Sequence, residues 1–122
     1  MSLEFYKVLH VAAVIGVFIS LGAVCFHAMN GGSRGTASGR GLVAALHGGG
    51  LFLALVGGFG LLARNGLMGG WPGWVWAKLA LWIILGALVA VPYRRPALAR
   101  PILLVLPVVG LTAAWLAILK PF

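Results

Sequence analysis

Four ionisable side chains lie inside apolar stretches of this sequence, and they are the residues best suited to chemistry: His10, His27, His47 and Lys78. A charged side chain at the centre of a membrane-spanning helix costs about 2.5–3.5 kcal/mol on insertion scales, so such residues usually have a function. Imidazole acts as a base, a metal ligand and a hydrogen-bond partner, and a desolvated lysine shifts its pKa readily. The four residues therefore predict a redox, proton-transfer or metal-binding function.

The depths of these residues in the membrane decide which of them share a site. We call the membrane face at which the first helix begins side A, and the opposite face side B. An α-helix rises about 1.5 Å per residue, so His10 lies roughly 10 Å and Lys78 roughly 6 Å from side A. His27 and His47 lie near side B, and about 25 Å of helix separates His27 from His10. The sequence therefore predicts one site with His10 and Lys78 and another with His27 and His47.

Haem is the metal group that suits these ligands best. Zinc sites collect three or four ligands, and neither layer offers more than two strong ones, with Cys25 adding a thiol near side B. Haem iron needs only one or two axial ligands from the protein, and helix bundles commonly hold haem. We expect one haem, or two if both layers hold one, with His10, His47 and His27 as candidate axial ligands. The alternative roles are hydrogen bonds to carbonyls for the histidines and contact with headgroups for Lys78.

The composition excludes most other classes of protein. The chain has 122 residues, is 62% hydrophobic and 8% charged, and has a mean hydropathy of +1.11, whereas soluble proteins are about 45–50% apolar and about 25% charged. The single acidic residue, Glu4, leaves no carboxylate pair for glycosidase or aspartic-protease chemistry and no oxygen cage for calcium or magnesium. The basic residues form no clustered, solvated face, so we expect no nucleic-acid partner. One cysteine excludes a disulfide within the chain.

Four apolar segments must position these residues: about 3–29, 41–63, 74–92 and 101–119. Each is close to the roughly 20 residues that a helix needs to cross a hydrocarbon core of about 30 Å. The connecting loops are short, so successive helices should run antiparallel. The sequence therefore predicts a single all-α domain spanning 1–122, an integral membrane four-helix bundle with up-down-up-down topology. Pro107 predicts a kink in the fourth helix.

The charge distribution predicts the orientation of this bundle. The segments at side B contain most of the arginines: Arg34, Arg40, Arg94, Arg95 and Arg100. Side A holds Lys7, Arg64 and Lys120. The positive-inside rule places side B in the cytoplasm and both termini outside an inner (plasma) membrane. The tryptophans near side A are expected to anchor the bundle at the headgroups: Trp71, Trp74 and Trp76.

Small residues recur at four-residue spacing in the first two helices: Ala12, Gly16 and Ser20, then Gly50, Ala54 and Gly58. This spacing permits the backbones of two helices to approach closely in lipid. We expect these faces to pack helices together, either within one chain or between two copies in a homodimer.

Two short motifs stand at the heads of the first and third helices: residues 7–15, KVLHVAAVI, and residues 74–81, WVWAKLAL. They resemble the hallmark segments of the HemJ-type protoporphyrinogen IX oxidases, small four-helix membrane proteins of haem synthesis that bind haem b. The resemblance implies that His10 is a haem ligand and that Lys78 is an essential, catalytic partner at the same level. It also implies a porphyrinogen substrate and a membrane quinone as electron acceptor.

Haem binding with electron transfer is our first functional hypothesis, and protoporphyrinogen IX oxidase activity is the alternative. A substrate with two propionates needs cations to hold it, and the candidates on side A are Lys7, Arg64 and Lys78. The end of the first helix, residues 21–30, has no arginine, and the arginines of side B lie far from His10 and Lys78. Two further hypotheses are a small transporter or channel with histidine proton relays, and a non-catalytic subunit of a larger membrane complex. The other expected partners are membrane lipid and a quinone or porphyrin.

Overall fold

The computed structural model describes residues 2–122, which form helices joined by short loops and contain no strand. The long helices are α1 (Leu3–Met29), α2 (Arg40–Arg64) and α3 (Gly73–Leu88), followed by the short α4 (Val91–Arg94) and the long α5 (Ala99–Leu119). Four stretches are long and apolar enough to cross a membrane: Leu3–Met29, Arg40–Arg64, Gly73–Arg94 and Pro96–Leu119. The all-α four-helix architecture expected from the sequence is confirmed, and the chain is a multi-pass membrane protein.

Local residue types explain where the helices begin and end. The Ser2 hydroxyl accepts a hydrogen bond from the Phe5 N–H and caps the start of α1. Gly31 follows the end of α1 with a φ of +80°, a left-handed conformation that glycine adopts without strain. The third segment is expected over about 74–92, and in the structure α3 and α4 together form the span Gly73–Arg94, with a turn between Leu88 and Val91. Pro92 lies in the first turn of α4, where its missing N–H costs nothing.

Helices α1 and α2 are the most closely packed pair of the bundle. A Cβ atom added at Gly50 would lie 2.9 Å from the Ala13 carbonyl oxygen, and one added at Gly57 would lie 3.0 Å from the His10 Cα. Both distances are shorter than ordinary contact, so only glycine permits this approach. The small-residue face of α2 therefore packs against α1 within the chain, whereas Ala12, in the corresponding stripe of α1, is exposed.

The buried core lies in the middle of the bundle, between α1, α3 and α5. One cluster of aliphatic side chains forms its centre: Val17, Leu21, Leu85, Leu106 and Val109. Helix α3 contributes a single buried residue, Leu85. Two side chains tie α3 to α2 through backbone carbonyls: the Trp82 Nε1–H donates to the Leu51 oxygen (2.9 Å), and His47 Nε2 lies 3.1 Å from the Leu85 oxygen.

The outer surface of the bundle is apolar along its length. Large aliphatic side chains at least 70% exposed occur on α1, α2 and α5: Val8, Leu42, Leu104, Leu111 and Ile118. Exposed apolar side chains of this kind are favourable where they contact lipid tails and not water. The outer surface therefore suits a bundle that spans a membrane.

Candidate functional site

The orientation of the His10 ring is set by a hydrogen bond between helices. His10 Nδ1 lies 2.7 Å from the Ala54 carbonyl oxygen on α2. A carbonyl oxygen only accepts hydrogen bonds, so Nδ1 donates and carries a ring proton, and in the neutral imidazole Nε2 then has a free lone pair. Metal-binding histidines commonly have this arrangement, because an acceptor bonded to the other ring nitrogen fixes the tautomer and the orientation of the ring. His10 is therefore prepared to act as a ligand through Nε2.

Two glycines of α2 make room for the His10 ring beside Ala54. A Cβ atom at Gly57 would lie 3.0 Å from the His10 Cβ, and one at Gly58 would lie 3.5 Å from the ring carbon Cε1. A side chain at position 57 would push His10 away from α2, whereas a Cβ atom at position 58 would be in ordinary contact with the ring. The glycine pair therefore allows the hydrogen bond between His10 and Ala54.

His10 and Lys78 both line a cavity near side A, which we call the side A cavity. Its volume is about 710 Å³, within the range of about 300–1,000 Å³ that is usual for small-molecule sites. Apolar and aromatic side chains from α2, α3 and the connecting loop form most of the wall: Ala54, Leu55, Phe59, Leu62, Trp71, Trp74, Val75, Leu79 and Trp82. The cavity can hold a large, mostly apolar ligand.

The charged groups of the side A cavity are all cations. Lys7, Lys78 and Lys120 line it, and Lys120 Nζ also lies 5.7 Å from the centroid of the Trp74 ring. The single acidic side chain of the sequence, Glu4, is not part of the wall. The cavity therefore favours a ligand that combines an apolar body with carboxylate or other anionic groups.

Two of the three tryptophans expected to anchor the bundle at side A also form part of the cavity wall. Trp71 and Trp74 line the cavity, whereas Trp76 is exposed and packs on Trp71 with 4.9 Å between ring centroids. Sequence reasoning missed Trp82, which also lines the cavity. Trp82 follows Lys78 by four residues, a spacing that places two side chains on one face of a helix, so the signal was present.

His27 and His47 line a second cavity, the side B cavity, with a volume of about 660 Å³. His27 Nε2 lies 3.2 Å from the Ser33 carbonyl oxygen and 3.1 Å from Thr36 Oγ1. His47 is buried, and its Nε2 faces the Leu85 carbonyl oxygen. The contacts with carbonyl oxygens require both Nε2 atoms to donate, which leaves only Nδ1 of each ring to bind a metal.

His27 and His47 thus form hydrogen bonds to backbone carbonyl oxygens, which is the alternative role that the sequence offers for the histidines. Cys25 is buried and lines neither cavity. Among residues 2–122, no group of three or more His, Cys, Asp or Glu side chains is placed to hold a metal ion. The structure places the four ionisable residues on two separate cavities, with His10 and Lys78 on one and His27 and His47 on the other.

Comparisons of the chain with family models, curated proteins and solved structures found no match. The relationship to the HemJ-type family stays a prediction from the two short motifs.

Proposed function

We propose that this chain is a haem b-binding membrane protein that transfers electrons, with the haem in the side A cavity and His10 as an axial ligand. The observation that carries the proposal is the 2.7 Å hydrogen bond from His10 Nδ1 to the Ala54 carbonyl oxygen. It leaves Nε2 unprotonated, which is the state that ligates iron. The volume of the cavity and its aromatic wall support the same conclusion.

The residues of the side A cavity have distinct roles in this proposal. His10 supplies the axial nitrogen, and Trp74 and Trp82 give aromatic surface for a flat ring. Lys7 and Lys120 attract the two propionates, since both line the cavity. Lys78 is a second axial ligand, a propionate partner or a proton-transfer group. Haem, when bound, supplies the one-electron chemistry, while the protein excludes water and sets the electrostatics.

The side B cavity suits a second haem less well than the side A cavity suits the first. Nε2 of both His27 and His47 is already hydrogen-bonded, so an iron ligand there would have to use Nδ1. We therefore propose one haem per chain. The proposal also retains the orientation argued from charge, with side B in the cytoplasm of the plasma membrane and a membrane quinone as the redox partner.

The absorption spectrum and haem content of the detergent-purified protein test this proposal. We expect a Soret band and one haem per chain, with the same content in His27→Ala and in His47→Gln, whose amide can still donate to Leu85. Purified protein from haem-sufficient cells without a Soret band would overturn the proposal. Two haems per chain, with one lost in either variant, would place a second haem at side B.

Protoporphyrinogen IX oxidase activity is the second candidate function, and one observation favours it. Sequence reasoning named Lys7, Arg64 and Lys78 as the cations of side A that could hold a substrate with two propionates. The structure shows that Lys7, Lys78 and Lys120 line the cavity and that Arg64 does not. Three cations around one apolar cavity match a porphyrinogen as well as haem.

Complementation of a strain that lacks its own protoporphyrinogen oxidase separates the two functions. If electron transfer is the function, the haem-loaded wild-type chain should not restore growth. If oxidase activity is the function, it should restore growth, and Lys78→Ala should abolish the rescue because the variant removes the cavity's candidate proton-transfer group. Arg64→Ala is the matched control, since it removes a cation from the same membrane face but outside the cavity.

A further inference from the structure

The side B cavity has a cationic rim with no acidic partner. Arg34 and Arg40 both line it, and the single acidic side chain of the sequence, Glu4, lies in the first turn of α1 at the opposite end of the bundle. Arg40 Nη1 donates a long hydrogen bond of 3.4 Å to the Gly35 carbonyl oxygen. Each guanidinium has five donors in a planar fork that matches phosphate, so the rim can bind an anion through charge-assisted hydrogen bonds.

Other donors at the same rim add to the two guanidiniums. The Tyr93 hydroxyl is one, and Tyr93 lines the cavity, whereas the hydroxyl of Thr36, which also lines it, already donates to the Ser33 carbonyl oxygen. The N-terminus of α2 also lies at this rim, because Gly39 and Gly41 line the cavity. Gly39 at the N-cap position has no side chain to cap the backbone N–H groups of the first turn. The partial positive charge of this 25-residue helix has the same sign as that of the two arginines.

The inner wall of the side B cavity is apolar. It is formed by small and branched side chains at the end of α1, the start of α2 and the residue after α3: Ala23, Val24, Val43, Ala44 and Val89. An inorganic anion would contact the rim and leave this wall unused. A ligand that fills both parts must join an anionic head to an apolar chain.

We propose that the side B cavity binds the headgroup of an anionic phospholipid, with Arg34 and Arg40 on the phosphate and the upper acyl chains against the apolar wall. Anionic lipids are the amphiphiles that basic pockets between transmembrane helices bind in the cytoplasmic leaflet. Neither His27 nor His47 presents a free Nε2 to a metal, so the cavity is better matched to a lipid than to a second haem. This inference does not depend on haem binding at side A.

Native mass spectrometry of the delipidated full chain in detergent tests the charge part of the proposal. Phosphatidylglycerol should bind with a preference over phosphatidylcholine. The double variant Arg34→Gln/Arg40→Gln should weaken phosphatidylglycerol binding by about tenfold or more, because each arginine near a membrane surface contributes several-fold. The control is Arg95→Gln/Arg100→Gln, which removes the same charge from the same face outside the cavity. Equal weakening in the two double variants would overturn the proposal.

A second pair of variants tests the apolar part without changing charge. Gly48 lines the cavity and Gly49 does not, and an added Cβ atom meets nothing within 4 Å at either position. The leucine side chain of Gly48→Leu should occupy the cavity space beside the inner wall and abolish the preference for phosphatidylglycerol. Gly49→Leu should keep this preference. Wild-type binding in Gly48→Leu would overturn the proposal. So would displacement of the lipid by inorganic phosphate at an equal concentration, or competition between phosphatidylglycerol and haem.

Discussion

Replacing His10 with alanine should remove the Soret band of the purified protein while the helices remain folded. The variant deletes the proposed iron ligand of the side A cavity, the ring nitrogen Nε2 of His10. The fold should tolerate the change, because the Ala54 carbonyl lies inside α2 and still has its helical partner, and one neutral hydrogen bond contributes about 0.5–1.5 kcal/mol. Absorption and circular dichroism spectra of one preparation measure the two effects together.

Two controls distinguish loss of a ligand from general damage to the bundle. Added imidazole should restore the Soret band of His10→Ala, since it can enter the space left by the side chain and supply the missing nitrogen. His47→Gln should keep the band, because it lies on the other cavity. A His10→Ala protein with its full haem content would contradict the assignment of the axial ligand.

The helices of this protein could be predicted closely because the membrane imposes simple rules on length and hydropathy. The first segment was expected over 3–29 and the second over 41–63, and the structure shows Leu3–Met29 and Arg40–Arg64. Hydropathy does not report local backbone geometry, so it does not place the turn between Leu88 and Val91 inside the third span. Pro92 carried the signal, since proline is favoured in the first turn of a helix and disfavoured further inside one.

The candidate site could be predicted only in part, because a sequence gives the depth of a residue in the membrane but not the direction in which its side chain points. The rise per residue of a helix placed His10 and Lys78 at one level, and both line the side A cavity. Helix rotation and ring orientation depend on packing, so the hydrogen bond to Ala54 had no sequence signal. Lys120, directly after α5, has a left-handed backbone conformation (φ 48°) and lines the cavity. The apolar pattern of the sequence does not predict this turn.

The close approach of α1 and α2 gives Gly57→Leu a large expected effect on the bundle and on the site. A Cβ atom at position 57 already lies 3.0 Å from the N, Cα and Cβ atoms of His10, two of them backbone atoms that cannot rotate away. The rest of a leucine side chain would force the two helices apart. Overpacking of this kind costs about 1–3 kcal/mol even where side chains can adjust, so we expect a clear loss of thermal stability in detergent.

The same substitution should abolish haem binding, because separation of the helices lengthens the 2.7 Å hydrogen bond that orients His10. Gly49→Leu is the matched control on the same helix. An added Cβ atom there meets nothing within 4 Å, and replacing a helical glycine gains up to about 1 kcal/mol of helix propensity. Stability and haem content should therefore be unchanged or higher in Gly49→Leu. If Gly57→Leu has the unfolding temperature of the wild type and keeps its haem, the result would contradict both the close contact between α1 and α2 and its effect on His10.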